Sequence, residues 1–464
     1  SDSRAVSGQA SGGGDGENSQ NPGENTETEE KKEFIKWVDF KVTKEAMQQA
    51  FRYDVDTCQS EIHLNWIELL ACLGARYGGD FSRYKADDMK KIADRILGGE
   101  RMEDITKDMK YYSYYLEAYG AVLGGMVMLM GLFLLHDVTG TLDMERIGIE
   151  AGRILAGQKT LSDGTAVHVA GGFASARAQL YTAGSLLLFG FGAKAGSFPL
   201  HIWLPKAHPV APAPASALLS GILTKAGVFG IIILSCTMFT SDGNWGLLMV
   251  FLGLATMFLG ALLAVFSVNL KRTLACSSVS QIGFIMTGIG MSCLLAWVGE
   301  GNLLAVRGAF LHMVNHSLIK LVLFLCAGAV FMNLHQLDLN EIRGFGRKKP
   351  ALCFCFLMGA LGIGGIPLWN GYVSKTLLHE SIVEYARLLE NGVSTEGLMG
   401  ASEALRPFLT DAAFWKQVEW VFLITGGMTV AYMLKLSVAL FADRHPTRQA
   451  EFDRMSSHYM TALS

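Results

Sequence analysis

Long apolar runs separated by short polar loops fill the chain from about residue 120 to 442, and no such run occurs before that. Nine of them, near 120–136, 178–198, 213–236, 246–268, 273–298, 303–333, 351–366, 371–388 and 418–442, approach or exceed the ~20 residues a helix needs to cross a ~30 Å hydrocarbon core. Runs of this length predict spanning helices, not barrel strands. Residues 137–172 between the first two are too polar to face lipid and are expected to form an extramembrane loop with a short amphipathic helix. Upstream the pattern differs. Residues 34–119 place apolar side chains at three- and four-residue spacings, as in "TKEAMQQAFRYDVDTC", which predicts a small soluble helical domain. Residues 1–33 hold too few large apolar side chains to offset the entropy of ordering and read as a disordered tail. The expected fold is therefore all-α: a polytopic membrane helix bundle of about nine spans over 120–443, two of them broken helices, followed by a C-terminal tail at 444–464.

Composition agrees. Of 464 residues 50% are hydrophobic and 17% charged, and the mean hydropathy is +0.30, which is high for a soluble chain. The net charge of -3 lacks the basic excess of a nucleic-acid binder. Most of the eight cysteines lie inside apolar runs and read as buried thiols, so neither a metal site nor a disulfide is expected. The basic loops "NLKRT" (Lys271, Arg272) and "IRGFGRKKP" (Arg343, Arg347, Lys348, Lys349) are two spans apart and share one face, cytoplasmic by the positive-inside rule. Counting nine spans puts the basic tail "DRHPTR" on the opposite face, in conflict with that rule.

Candidate chemistry sits inside the apolar runs. An ionisable side chain at the bilayer centre costs at least ~2.5–3.5 kcal/mol, so it normally faces protein or water and serves a function. Lys194 follows "LLLFGFGA", Lys225 sits in "GILTKAGVFG", and Lys375 lies in "GIPLWNGYVSKTLLHE". His312, His316 and Lys320 recur at four-residue steps, on one face of one helix. Burial and a neighbouring carboxylate act on a lysine in opposite senses, which lets it switch charge. Gly196 with Pro199, and Gly365 with Pro367, break the helices beside Lys194 and Lys375 and free backbone groups that need a wet, protein-lined cavity. Glu380, with Glu384 after it, follows Lys375 at helical spacing and is the possible acidic partner.

The segments "GAKAGSFPLHIWLPKAHPVAPAPASALLSGILTKAGVFG", "LKRTLACSSVSQIGFIMTGIG", "HMVNHSLIKLVLFLCAG" and "GIPLWNGYVSKTLLHES" resemble the antiporter-like, proton-pumping membrane subunits shared by respiratory complex I, the membrane-bound hydrogenases and formate hydrogenlyases, and the multisubunit sodium/proton antiporters. The resemblance covers about 131–443. It implies a multi-pass protein of a bacterial cytoplasmic membrane, set among other membrane subunits and the lipid bilayer, which moves protons or sodium ions along Lys194, Lys225, His312, His316, Lys320 and Lys375. A redox arm elsewhere would drive it, with no redox cofactor bound in such a protein. The resemblance also implies about five earlier spans, one carrying a glutamate that pairs with the lysine matched by Lys194. The run at 120–136 contains no acidic residue, so the chain alone is expected to pump poorly. Residues 34–127 instead resemble the helical region that precedes the catalytic domain of clostridial lysostaphin-type cell-wall peptidases. No HxxxD followed by HxH is present to bind the zinc of such a peptidase. Two unrelated resemblances meeting near 124–130 point to a hybrid chain. The alternative function is a membrane-anchored cell-wall-associated protein or a non-conducting scaffold, although an anchor has no use for lysines beside broken helices.

Overall fold

A computed structural model describes residues 112–301, 303–394 and 401–455, which belong to the larger of two compact units of the chain. The expected tail at 1–33, nearly all of the expected soluble helical domain and the peptidase-like region up to residue 111 lie outside the described residues. Among the described residues all regular structure is helical apart from two isolated bridges of extended backbone.

The first helix, α1, spans Tyr112–Thr139 and so begins eight residues ahead of the expected span, taking in Glu117 and Asp137 at its two ends. The amphipathic helix expected in the following loop is α2, Met144–Leu155, which buries Ile147, Ala151 and Ile154. Then come α3 (Ala176–Ala195), a single 3-10 turn, α4 (Trp203–Val210) and α5 (Ala213–Met238). Helix α5 widens into π-turns at Leu219–Leu223 and Leu234–Met238. The rest comprises α6 (Gly243–Phe266), α7 (Leu270–Trp297), α8 (Leu303–Leu334), α9 (Pro350–Gly364), α10 (Asn370–Glu390), α11 (Arg406–Thr410), α12 (Ala412–Ala442) and α13 (Gln449–Arg454). Short polar side chains start several of these helices: Asp143, Ser175, Asp242, Asn269 and Asp411 each accept a hydrogen bond from a backbone N–H of the first turn.

Helices α5, α6, α7, α8 and α12 are long and apolar enough to cross a membrane, and a sixth span arises if Leu123–Thr139 and Met144–Leu155, bent by 68°, count as one. The expected nine runs all fall on helices, but two of them, α9 and α10, are halves of one pass. Backbone contacts show this. Gly344 and Gly346, just before α9, donate to the carbonyls of Ala439 and Leu440 at the end of α12 (2.8 and 2.9 Å). At the other extremity Glu390, the last residue of α10, pairs with Lys416 in the first turns of α12 (2.5 Å). Helices α9 and α10 together therefore run antiparallel to α12.

That pairing removes the conflict over the basic tail. The loop before α7 meets the loop after α8 through Leu270 N–H to Leu337 C=O (2.9 Å) and Leu339 N–H to Val268 C=O (2.8 Å). The tail after α12 joins the same end, where Arg343 pairs with Asp443 (3.5 Å) and Lys348 with Asp453 (2.9 Å). Basic loops and basic tail share one end because a broken helix had been counted twice. The Lys348 ammonium holds the Asp453 carboxyl below its usual range.

Helix α7 is the axis of the bundle, buried along nearly its whole length. Glycines make this possible. Gly246, Gly253 and Gly260 of α6 and Gly283 and Gly290 of α7 recur at seven-residue steps, and a Cβ added at Gly283 would lie 2.2 Å from the Met257 nitrogen. The two backbones touch, the small-residue packing that helices use where lipid supplies no hydrophobic drive.

Candidate functional site

The apolar character of α7 is interrupted by "CSSVSQIG", residues 276–283, and the resulting polar face meets the three lysine-bearing helices inside the bundle. Lys320 of α8 is fully buried, and its ammonium donates to the Leu274 carbonyl (2.7 Å) and to the Ser277 hydroxyl. Beside it, Ser278 shares a hydrogen bond with Ser220 of α5 (2.6 Å). Lys225 donates to the Ser220 carbonyl at 2.5 Å. That carbonyl lies in a π-turn, where the widened backbone carries carbonyls away from the regular ladder. One turn further along α7, Gln281 Oε1 meets His312 Nε2 (3.0 Å), while His312 Nδ1 meets Ser374 Oγ of α10 (2.9 Å). The Asn315 amide continues the thread to Ser374 (3.3 Å) and to the Asn370 carbonyl (2.9 Å).

His316 stands among these groups, within electrostatic reach of Lys225, Lys320, His312 and Lys375. It is 1% exposed, and neither ring nitrogen has a hydrogen-bond partner among the described residues. Leaving a buried polar group unpaired is costly, so such a residue asks for an explanation in function. His208 of α4 is equally buried and unpartnered, stacked 4.4 Å from the Phe324 ring and within electrostatic reach of Lys320, Lys271 and Lys225. Lys271, expected as a free loop charge, is buried and donates to the Ala211 carbonyl at the end of α4 (2.8 Å).

Both expected helix breaks are present. Helix α3 ends at Gly196 with φ 75° and α9 at Gly365 with φ 74°, a left-handed conformation that glycine adopts without a Cβ clash. Pro199 and Pro367 lie in the irregular segments that follow. At the second break Lys375 folds back across the gap, donates to the Ile363 carbonyl (2.9 Å) and lies 4.9 Å from the centre of the Phe284 ring. At the first break the Trp203 indole does the equivalent work, donating to the Ala193 carbonyl (3.0 Å). Lys194 takes no part and is exposed on the bundle surface. The polar residues of helix α3 do not gather on one face, so its sequence did not say which side faces inward.

Glu380 does not pair with Lys375. Five residues at about 100° each turn it roughly 140° around the helix, and its side chain is half exposed, 3.8 Å from His379. Glu384 pairs with Arg387 (3.1 Å). Among the described residues the buried acids are Glu150 and Asp242. Both serve structure. Glu150 accepts hydrogen bonds from Ser162 and closes the loop after α2, while Asp242 caps α6 and meets the Tyr181 hydroxyl at 2.5 Å. The structure thus brings together Lys225, His312, His316, Lys320 and Lys375 in one polar thread without a carboxylate, and it sets Lys194 and Glu380 apart. The sequence reading missed Gln281, Ser277, Ser374, Asn315, His208 and Lys271. Polar residues at three- and four-residue steps in "CSSVSQIG" were the available signal for two of them.

A row of ammonium, imidazole, amide and hydroxyl groups buried along one axis can pass protons. The family profile described as "NADH:quinone oxidoreductase/Mrp antiporter, TM" matches residues 112–400. The chain belongs to that family and is a multi-pass, antiporter-like membrane subunit of the complex I, hydrogenase-4 and Mrp kind. Among its relatives are hydrogenase-4 component B of Escherichia coli (38% identical, covering 44% of this chain and 31% of the relative) and formate hydrogenlyase subunit 3 of the same organism (32%, covering 57% and 41%). Another is a Na(+)/H(+) antiporter subunit of Alkalihalophilus pseudofirmus (29%, covering 61% and 50%). The matched stretches span 31% to 50% of those relatives' own lengths. Two solved structures share the fold. The Mrp complex from Dietzia sp. DQ12-45-1b has a TM-score of 0.56 at 20% identity, covering 81% of this chain and 64% of that one. An archaeal membrane-bound sulfane sulfur reductase has 0.58 at 19%, covering 86% and 62%.

Proposed function

We propose that this chain translocates protons across a bacterial cytoplasmic membrane as one subunit of a multisubunit complex, along a buried row formed by Lys225, Lys320, His316, His312 and Lys375, with Lys271 and His208 at its basic end. The observation that carries this reading is His316, a fully buried imidazole without a hydrogen-bond partner among the described residues, standing within reach of three lysines. A ring in that position can accept a proton from one lysine and return it to another. Each transfer breaks one N–H bond and forms one. Ammonium groups next to each other in a medium of low dielectric repel, so a proton taken up at one site promotes release from the next.

The row also favours protons over sodium. Pathways for metal cations are lined by carbonyl or carboxylate oxygens, whereas the carbonyls of this row, at Ser220, Leu274 and Ile363, are taken up by lysine ammonium groups, and neither Glu150 nor Asp242, the buried acids among the described residues, belongs to it. The end that gathers Lys271, Arg272, Arg343, Arg347, Lys348 and Lys349 is assigned to the cytoplasm. Lys194, exposed at the end of α3, is assigned to the side that faces the earlier spans implied by the resemblance, one of which would bring the glutamate to it. The lysines are not those of an inert anchor, because burying them serves no anchoring purpose.

Reconstitution of the full chain in liposomes tests this, with a pH-sensitive and a sodium-sensitive dye read under an imposed potential, which asks for passive conduction along the row and not for the driven pumping expected to be poor in the chain alone. Proton flux is expected, reduced about tenfold or more in Lys320→Ala, with sodium flux at the level of empty liposomes. Sodium flux equal to proton flux, or proton flux indifferent to Lys320, would overturn the proposal.

A further inference from the structure

Four residues beyond Lys375, about 6 Å along α10, His379 turns to the flank of the bundle and meets Glu419 of α12, Nε2 to Oε1 at 3.0 Å. The side chains are 23% and 28% exposed, so an imidazole and a carboxylate face outward together well inside a helix that otherwise spans. Ionisable pairs at that depth are costly, which leads one to look for a use. Two aromatic rings adjoin both the pair and the buried row. Phe284 packs edge-on against Phe422 (4.8 Å, 90°). Lys375 and His312 approach the Phe284 ring centre to 4.9 and 6.2 Å, and His379 approaches Phe422 to 6.0 Å. The outward face of α10 then carries Glu380, Glu384, Arg387 and Glu390 towards the end opposite the basic loops, too charged for contact with lipid.

We propose that the His379–Glu419 pair is the release port of the buried row, and that Phe284 and Phe422 form the partition between them. The idea rests on the proton relay proposed above. Lys375 gives up a proton from Nζ and becomes a neutral amine. The proton binds His379 at Nδ1, because Nε2–H is engaged by Glu419, and the imidazolium formed is stabilised by that carboxylate until water on the flank takes the proton. No other reactant is needed. The charged groups facing His379 are Glu380 on its own helix and Glu419 on α12, with Lys416 one turn from Glu419; α7 presents Phe284, and α8 presents His312 behind it.

The test is proton flux through the full chain in liposomes, with the pH of each compartment varied separately, for Glu419→Gln, Glu419→Asp, His379→Gln and Lys375→Ala. Glu419→Gln and His379→Gln are expected to lower flux about tenfold, and Glu419→Asp to restore roughly half of it. The pH profile should change only for the compartment opposite the basic loops, which a merely structural role would not produce. If Lys375→Ala abolishes flux while Glu419→Gln and His379→Gln conduct as the parent does, the port is wrong and the relay stands. If Lys375→Ala also leaves flux intact, the relay falls and the port with it. Equal loss in Glu419→Asp and Glu419→Gln, with no change in either pH profile, would assign the pair to folding and overturn the proposal.

Discussion

The two broken helices carry nearly the same sequence signal and put it to different use. Each has a glycine at φ 74–75°, a proline two or three residues after it, and a lysine, two residues before the glycine in the first and ten after it in the second. In the first, Lys194 precedes the break, so it stays on the outside of α3 and a neutral indole from Trp203 satisfies the freed carbonyl. In the second, Lys375 follows the break at the start of α10 and the charged side chain itself reaches back to Ile363. Of these two breaks, the one whose lysine follows the glycine buries a titratable group, and the other buries only a turn. A lysine after the gap can both satisfy the carbonyl and leave it.

The largest expected effect separates the two lysines by function. In liposomes holding the full chain, Lys375→Ala should lower proton flux by about tenfold or more, while Lys194→Ala should stay within roughly twofold of the parent. Equal losses would erase the distinction and return Lys194 to the row.

A smaller effect concerns the donors that bridge the gaps. Thermal unfolding in detergent should show Lys375→Met destabilised by about 1–3 kcal/mol, because a buried carbonyl loses a charged donor, and Trp203→Phe by about 0.5–1.5 kcal/mol, the loss of a neutral one. Reversed order would mean that Trp203, not Lys375, holds the more critical gap.

The least difference is expected at the glycines. Gly196→Ala and Gly365→Ala should each cost about 1 kcal/mol for a left-handed alanine. Gly365→Ala should cost slightly more, since its new Cβ meets Lys375 at 3.0 Å whereas that at Gly196 meets Leu204 at 3.4 Å. The same unfolding measurement checks both.

The sequence disclosed what is local. Four-residue steps put His312, His316 and Lys320 on one face of α8, and glycine with proline marked both breaks, because helix geometry and proline chemistry act over one or two turns. It could not show what depends on neighbours. Lys194 lies in a helix without a polar face, so nothing local told inside from outside. Glu380 looked like a partner by proximity along the chain, but five residues carry it away from Lys375. His379 and Glu419 are 40 residues apart and become a pair only when α10 and α12 pack. The count of spans failed for a related reason: α9 and α10 each read as a short span until their ends were seen to meet the two ends of α12.

The central claim is that buried nitrogen bases, not the packing around them, carry the protons, and His316→Phe tests it most directly. Because the His316 ring makes no hydrogen bond among the described residues, phenylalanine keeps the ring's shape and removes only its capacity to bind a proton. Proton flux and unfolding temperature are measured on the same preparation. The account predicts flux lowered about tenfold or more with the unfolding temperature unchanged or raised; flux at the parent's level in a folded His316→Phe chain would contradict it.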